Sequence, residues 1–157
     1  MSKKRITLNA YELQAYQPNR YPFLMVDRVV ECVPGEYAKG YKNLTNNEWY
    51  FPKHFEDNPN MPGALQLEAM AQMLTIAITT QEGLQGRVTH ALKHTVRFKK
   101  EVVPGDRLDI HAELLSWKRG IAKGRAVCTV DSIEVSNADL LITIPEIMTE
   151  YLPKQDV

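Results

Sequence analysis

The chain has 157 residues, with 19 Lys plus Arg against 19 Asp plus Glu, 44% apolar residues and two cysteines, a make-up that fits one globular domain spanning 1–157. A formal net charge of zero and a pI near 6.9 leave no overall field for a phosphate backbone, so nucleic-acid binding is not expected. Cys32 and Cys128 belong to no C-x-x-C pair, which argues against a zinc site or disulfide framework and fits a cytoplasmic setting.

Residues 1–20 read as an N-terminal extension that serves peripheral packing or assembly. Its basic start at Lys3, Lys4 and Arg5 runs into polar Asn9, Glu12 and Gln14, unlike a secretory signal. Residues 24–32 are rich in Val and Leu and lead through Val33-Pro34-Gly35 into residues 36–44, the pattern of a strand, a turn and a returning strand. Residues 46–60 carry Pro52, Pro59 and several Asn and predict a long loop, a kind of segment that is often functional.

Met61-Pro62-Gly63 opens an apolar run that ends at Gly83, and this Pro-first, Gly-last asymmetry predicts a helix over residues 62–82. Apolar residues cover nearly its whole circumference, so the helix should be buried on most sides. It also contains Gln66, Glu68 and Gln72 and is short of the roughly 20 apolar residues needed for a membrane span. From Val88 the period becomes two, predicting strands over 88–99, 107–117, 121–131 and 138–144 with short turns between them, an antiparallel meander. Residues 145–157 form a C-terminal tail. One apolar helix can be buried only if the sheet curls around it, so the fold class is α+β.

Glu68 interrupts the apolar helix. Burial would raise its pKa and make it a proton donor, whereas a Glu reaching solvent or an Arg would be ordinary. His54 lies in the loop before that helix and is either a general base or a structural loop histidine. Gly63 stands where helix amides are unpaired and the dipole is positive, which suits a polarised carbonyl oxygen or simply starts the helix. His90 and His94 fall in a strand, where their spacing shares a face and does not make a metal site. His111 lies on a polar strand face. Met61, Met70 and Met73 line either an acyl channel or plain core. No nucleotide-binding loop or serine-hydrolase elbow occurs in the sequence.

Tyr21-Pro22-Phe23-Leu24-Met25-Val26-Asp27-Arg28, Lys42-Asn43, His54-Phe55, Met61-Pro62-Gly63, Leu65-Gln66-Leu67-Glu68-Ala69-Met70-Ala71-Gln72, Arg97-Phe98-Lys99 and Val102-Val103-Pro104-Gly105-Asp106 resemble, in order and spacing, the hot-dog-fold (3R)-hydroxyacyl-acyl-carrier-protein dehydratases over residues 20–144. The resemblance implies a long central helix wrapped by a curved antiparallel sheet, and a homodimer with shared active sites that assembles as a trimer of dimers. It further implies His54 as base, Glu68 of the partner subunit as acid and the Gly63 amide as donor to the thioester carbonyl. The substrate would be a 3-hydroxyacyl group on the phosphopantetheine of acyl carrier protein, dehydrated in fatty-acid or polyketide-like synthesis with no metal or other cofactor. Arg97, Lys99 and Lys100 are the candidate docking cluster for that acidic carrier.

The sequence departs from the family in reading Lys53-His54-Phe55-Glu56-Asp57, where the family has Gly before the His and Pro-Gly after His-Phe, and in having His94 where an Asp is usual. Lys53 would obstruct the tunnel or misplace the imidazole if that position must approach the substrate or adopt a glycine conformation, or would help keep His54 neutral. A divergent member is the expectation. The alternatives are a hot-dog thioesterase that activates water with a carboxylate, and a carrier-binding subunit without turnover.

Overall fold

The computed structural model describes residues 2–154. Seven strands form one antiparallel sheet: β1 (Ile6–Leu8), β2 (Arg28–Val33), β3 (Tyr37–Asn43), β4 (His90–Phe98), β5 (Arg107–Lys118), β6 (Ile121–Val130) and β7 (Ile133–Thr143). Their order across the sheet is β1-β2-β3-β5-β6-β7-β4. Irregular registers in β2, β4, β5 and β6 bend these strands, and the sheet curves around α1 (Gly63–Thr79). A short helix, α2 (Pro145–Met148), follows β7. This is the expected α+β hot-dog architecture.

α1 is buried as its pattern predicts: Met70, Met73, Leu74, Ile76 and Ile78 are fully buried, each contributing about 1.5–3 kcal/mol over an exposed position. Two glycines of the sheet allow the helix to lie this deep. A methyl group on Gly40 of β3 would lie 1.9 Å from the Arg28 carbonyl oxygen and 2.9 Å from Met73 Cε. One on Gly124 of β6 would lie 2.4 Å from Leu74.

Three expectations are corrected. The first predicted strand begins only at Arg28, because the Met25 N–H is taken by the buried side chain of Gln72 at 2.7 Å, and Phe23 and Leu24 donate to Arg20 in a turn. The helix ends at Thr79, where the Thr80 hydroxyl bonds back to the Ile76 carbonyl.

The third correction is the meander, which holds only for β5-β6-β7. Among the described residues β4 pairs with β7 alone, His90 opposite Thr143 and Phe98 opposite Ser136. Residues 99–106 carry a turn signal, yet their backbone bonds tie separate elements together. Lys99 and Lys100 donate to Val135, Met61 donates to Val102, and Gly105 donates to Leu44. The segment therefore crosses the end of the barrel from β7 to β3.

The N-terminal segment does more than pack peripherally, since β1 extends the sheet beyond β2. In the tail, residues 155–157 lie outside the described residues.

Candidate active site

The first part of the loop after β3 is anchored by two ties. Lys42, only 8% exposed, donates to the Asn43 carbonyl at 2.8 Å and meets the carboxylates of Glu48 and Asp27. The Trp49 indole donates to the Pro22 carbonyl, joining the loop to the Tyr21-Pro22-Phe23 segment. Beyond these ties, His54 follows the turn Phe51–Lys53. Its Nδ1 lies 3.1 Å from the Asn60 carbonyl oxygen, and the Asn60 N–H donates back to the His54 carbonyl at 2.8 Å. Only a protonated Nδ1 can donate to a carbonyl, so the contact assigns the proton to Nδ1 and leaves the lone pair on Nε2.

Lys53 sits inside the short turn with its N–H on the Tyr50 carbonyl, and it is not among the residues with positive φ. The position before His54 therefore needs no glycine conformation here. Lys53, Glu56 and Asp57 are all exposed.

Gly63 is the first residue of α1, and Pro62 before it provides no side-chain cap. The first free amides of the helix are therefore open to a ligand. The Phe98 ring of β4 lies across this point, so close that a Cβ on Gly63 would be 2.6 Å from Phe98 Cζ.

Five residues on, Glu68 is half-buried on the wall of a pocket of about 160 Å³. Of the two readings of this carboxylate, sealing inside an apolar helix does not hold: Oε1 accepts from Asn19 Nδ2 at 3.1 Å and from Gln72 Nε2 at 2.9 Å. Gln72 also donates to the Phe23 carbonyl and accepts from the Met25 N–H, so one buried amide ties Glu68 to the Pro22-Phe23 segment. Replacing Gln72 with Leu strands the Met25 N–H and the Phe23 carbonyl. It should lower stability by about 2–4 kcal/mol, read from denaturant unfolding; a loss under about 1 kcal/mol would show that these groups find other partners.

The pocket wall also includes Gln17 and Asn19, Thr89, and His90 and His94 of β4, but not His54. Within one chain, His54 does not line the pocket that Glu68 lines. The sequence reading missed Gln72 and Asn19. The first was readable as the i+4 neighbour of Glu68 on a helix; Asn19 lies in an aperiodic segment that offers no signal.

Arg97, Lys99 and Lys100 are exposed. Lys99 is paired with Glu134, while neither Arg97 nor Lys100 forms an ion pair among the described residues. His111 stands on the solvent side of β5 beside Tyr37. Among the described residues no cluster of three or more His, Cys, Asp or Glu could hold a metal ion, and no helix is long and apolar enough to cross a membrane. Burial pushes the Cys128 thiol up to about 12 and raises that of Cys32, leaving both as unreactive core residues.

Residues 17–139 match the FabA-like domain family. A 3-hydroxyacyl-acyl-carrier-protein dehydratase FabZ of Bacillus licheniformis is 44% identical over 140 residues, covering 88% of this chain and 97% of that one. The protein of that name from Caldicellulosiruptor bescii is 48% identical over 128 residues, covering 81% and 91%. Among solved structures, the dehydratase heterocomplex ApeI:P from Xenorhabdus doucetiae superposes with a TM-score of 0.73 at 17% identity, over 90% of this chain and 97% of that one; this likeness concerns the fold. With the dehydratase motifs on one curved sheet and around one buried helix, and with relatives this similar over most of its length, the chain belongs to the FabA-like family of 3-hydroxyacyl-acyl-carrier-protein dehydratases.

Proposed function

We propose that this chain is a hydro-lyase that converts 3-hydroxyacyl groups on acyl carrier protein to trans-2-enoyl groups in fatty-acid synthesis. The observation that carries the mechanism is the His54–Asn60 hydrogen bond, which leaves Nε2 able to take the proton α to the thioester. As that proton leaves, negative charge grows on the thioester oxygen, and the uncapped first turn at Gly63 is suited to receive it. Glu68 of the partner subunit gives its proton to the β-hydroxyl, the C–O bond breaks, and water departs. The thioester itself acidifies the α-proton, so the reaction needs no cofactor of the protein's own.

The dimer is inferred from β4. Among the described residues this strand has a hydrogen-bonded neighbour on one side only, and Leu92 and Phe98 on it are 46% and 49% exposed. Antiparallel pairing of two β4 edges would join the sheets and cover these side chains. It would also bring the His54 loop of one chain toward the Glu68 pocket of the other, since Phe98 of β4 lies on Gly63. Three such dimers make the hexamer that the resemblance implies. Arg97 and Lys100, with Lys99 largely neutralised by Glu134, are the basic side chains offered to the acidic carrier. The unreactive thiols suit a cytoplasmic site.

The test is equilibration of a 3-hydroxybutyryl group and its crotonyl counterpart on acyl carrier protein, followed by the absorbance of the conjugated enoyl thioester. Interconversion is expected. Release of free thiol instead would replace the dehydratase reading with a thioesterase, and tight carrier binding without either reaction would replace it with a binding subunit.

A further inference from the structure

Residues 13–19 run alongside α1 and end at the acid. Leu13 is fully buried, and the hydroxyl of Thr79, at the far end of α1, donates to the Tyr16 carbonyl at 2.8 Å. About three turns nearer the helix start, Asn19 Nδ2 donates to Glu68 Oε1 at 3.1 Å. Asn19 is itself held on both sides. Its N–H donates to the side-chain oxygen of Gln17 at 3.1 Å, a residue only 3% exposed. Its carbonyl accepts from the Arg20 guanidinium, which also donates to the carbonyls of Gln17 and Gln14. The amide therefore meets Glu68 from a fixed position and loses little freedom in doing so.

Both donors to Glu68, Asn19 and Gln72, reach the same oxygen. In a neutral carboxyl group the carbonyl oxygen accepts and the hydroxyl carries the proton. Two N–H groups on Oε1 make it the carbonyl oxygen and put the acid proton on Oε2, which no hydrogen bond reaches among the described residues. The two donors differ in what else they do. Gln72 also serves the Phe23 carbonyl and the Met25 N–H, whereas the Asn19 side chain makes no hydrogen bond among the described residues except that to Glu68.

Building on the dehydratase reading, we infer that Asn19 is a positioning residue for the acid: its amide keeps Oε1 as the carbonyl oxygen, so the proton given to the β-hydroxyl is the one on Oε2. As the C–O bond breaks, that proton leaves with the departing oxygen as water. The carboxylate left behind shares its charge over both oxygens, and the same two N–H groups stabilise it. In the reverse direction Oε2 takes the proton back from the attacking water. Asn19 gives no proton and acts through Glu68 of its own chain. The N-terminal segment then belongs to the active site and not only to the packing around it.

The test is steady-state kinetics in both directions, on 3-hydroxybutyryl- and crotonyl-acyl carrier protein, of wild type, Asn19→Ala, Asn19→Asp, Glu68→Gln and the double variant Asn19→Ala/Glu68→Gln, with thermal unfolding to verify folding. Asn19→Ala should lower kcat by about 10–100-fold, the loss of one hydrogen bond to a charged group, with KM within about twofold. Asn19→Asp keeps the shape but replaces the donor with a second carboxylate, and should fall at least as far. In the Glu68→Gln background there is no acid proton left to place, so adding Asn19→Ala should change the residual kcat by less than about twofold.

A folded Asn19→Ala variant that keeps its kcat or changes only its KM overturns the inference. So does a full further loss in the Glu68→Gln background, which would show that Asn19 acts otherwise than through the acid. Either result, with an active wild type, leaves the dehydratase reading standing; a wild type that interconverts nothing overturns both. Should Glu68→Gln fall below detection or Asn19→Ala fail to fold, Asn19→Asp decides: a kcat within about twofold of wild type means that the shape and not the N–H matters, and overturns the inference.

Discussion

Mixed dimers of His54→Ala and Glu68→Gln chains should recover activity that neither variant has alone. His54 does not line the pocket that Glu68 lines in one chain, and on the proposed mechanism the two act at one substrate only across the proposed β4 interface. Singly, each substitution removes one proton-transfer partner and should lower kcat by about 10²–10⁴-fold. Neither should unfold the chain, because both side chains are only half-buried and each replacement is smaller or isosteric.

In a mixed dimer the two altered residues fall in the same shared site, and the other site is intact. With random exchange, half of the dimers are mixed and each has one good site of two, so activity should return to about a quarter of wild type. The measurement is enoyl absorbance after co-refolding the two variants, with mass spectrometry to verify mixing. Verified mixed dimers that stay inactive would place both residues in one chain's site and overturn the shared arrangement.

Gly40→Ala should prevent stable folding, at a cost above about 4 kcal/mol, among the largest seen for single substitutions. The added methyl would meet backbone, the Arg28 carbonyl at 1.9 Å, where β2 and β3 pair through Val29 and Gly40. Backbone cannot rotate away as a side-chain end can. The contact with Met73 at 2.9 Å adds that the helix would have to lift off the sheet. Gly83→Ala serves as the contrast, since nothing lies within 4 Å of its added methyl and only its positive φ of 79° opposes it; it should cost about 1 kcal/mol. Denaturant unfolding reads both, and a Gly40→Ala protein within about 1 kcal/mol of wild type would mean that β2 and β3 can separate there at little cost.

The helix was legible because its apolar residues, its Pro62 start and its later Gly83 all agree. β3, β5 and β6 were legible because alternation and turns bounded them within a residue or two. β1 was missed because three residues give too few repeats to show a period. The partner of β4 was illegible for a different reason: a Pro-Gly turn marks where a chain reverses, and says nothing about which strand it then lies against. At the site, His54, Gly63 and Glu68 were named by residue type and motif order. Their separation within one chain, and the role of Asn19 and Gln72 in holding Glu68, depend on contacts between segments about 50 residues apart, which local pattern does not carry.

The placement of β4 beside β7 has a consequence for how the chain is made. β4 leaves the ribosome well before β7, its only partner among the described residues, and 34 residues, 99–132, separate the end of one from the start of the other. Until Ile133–Thr143 has been synthesised, β4 has no ladder within its own chain, and its apolar side chains lack the neighbour that orders them. The loop to be closed is shorter than the 63 residues, 44–106, between the paired strands β3 and β5, so it is the order of synthesis that delays β4. The strand that closes the Glu68 pocket and forms the proposed dimer edge is thus the last to gain its place, so a nascent chain cannot pair with another through an ordered β4 before its own sheet is complete.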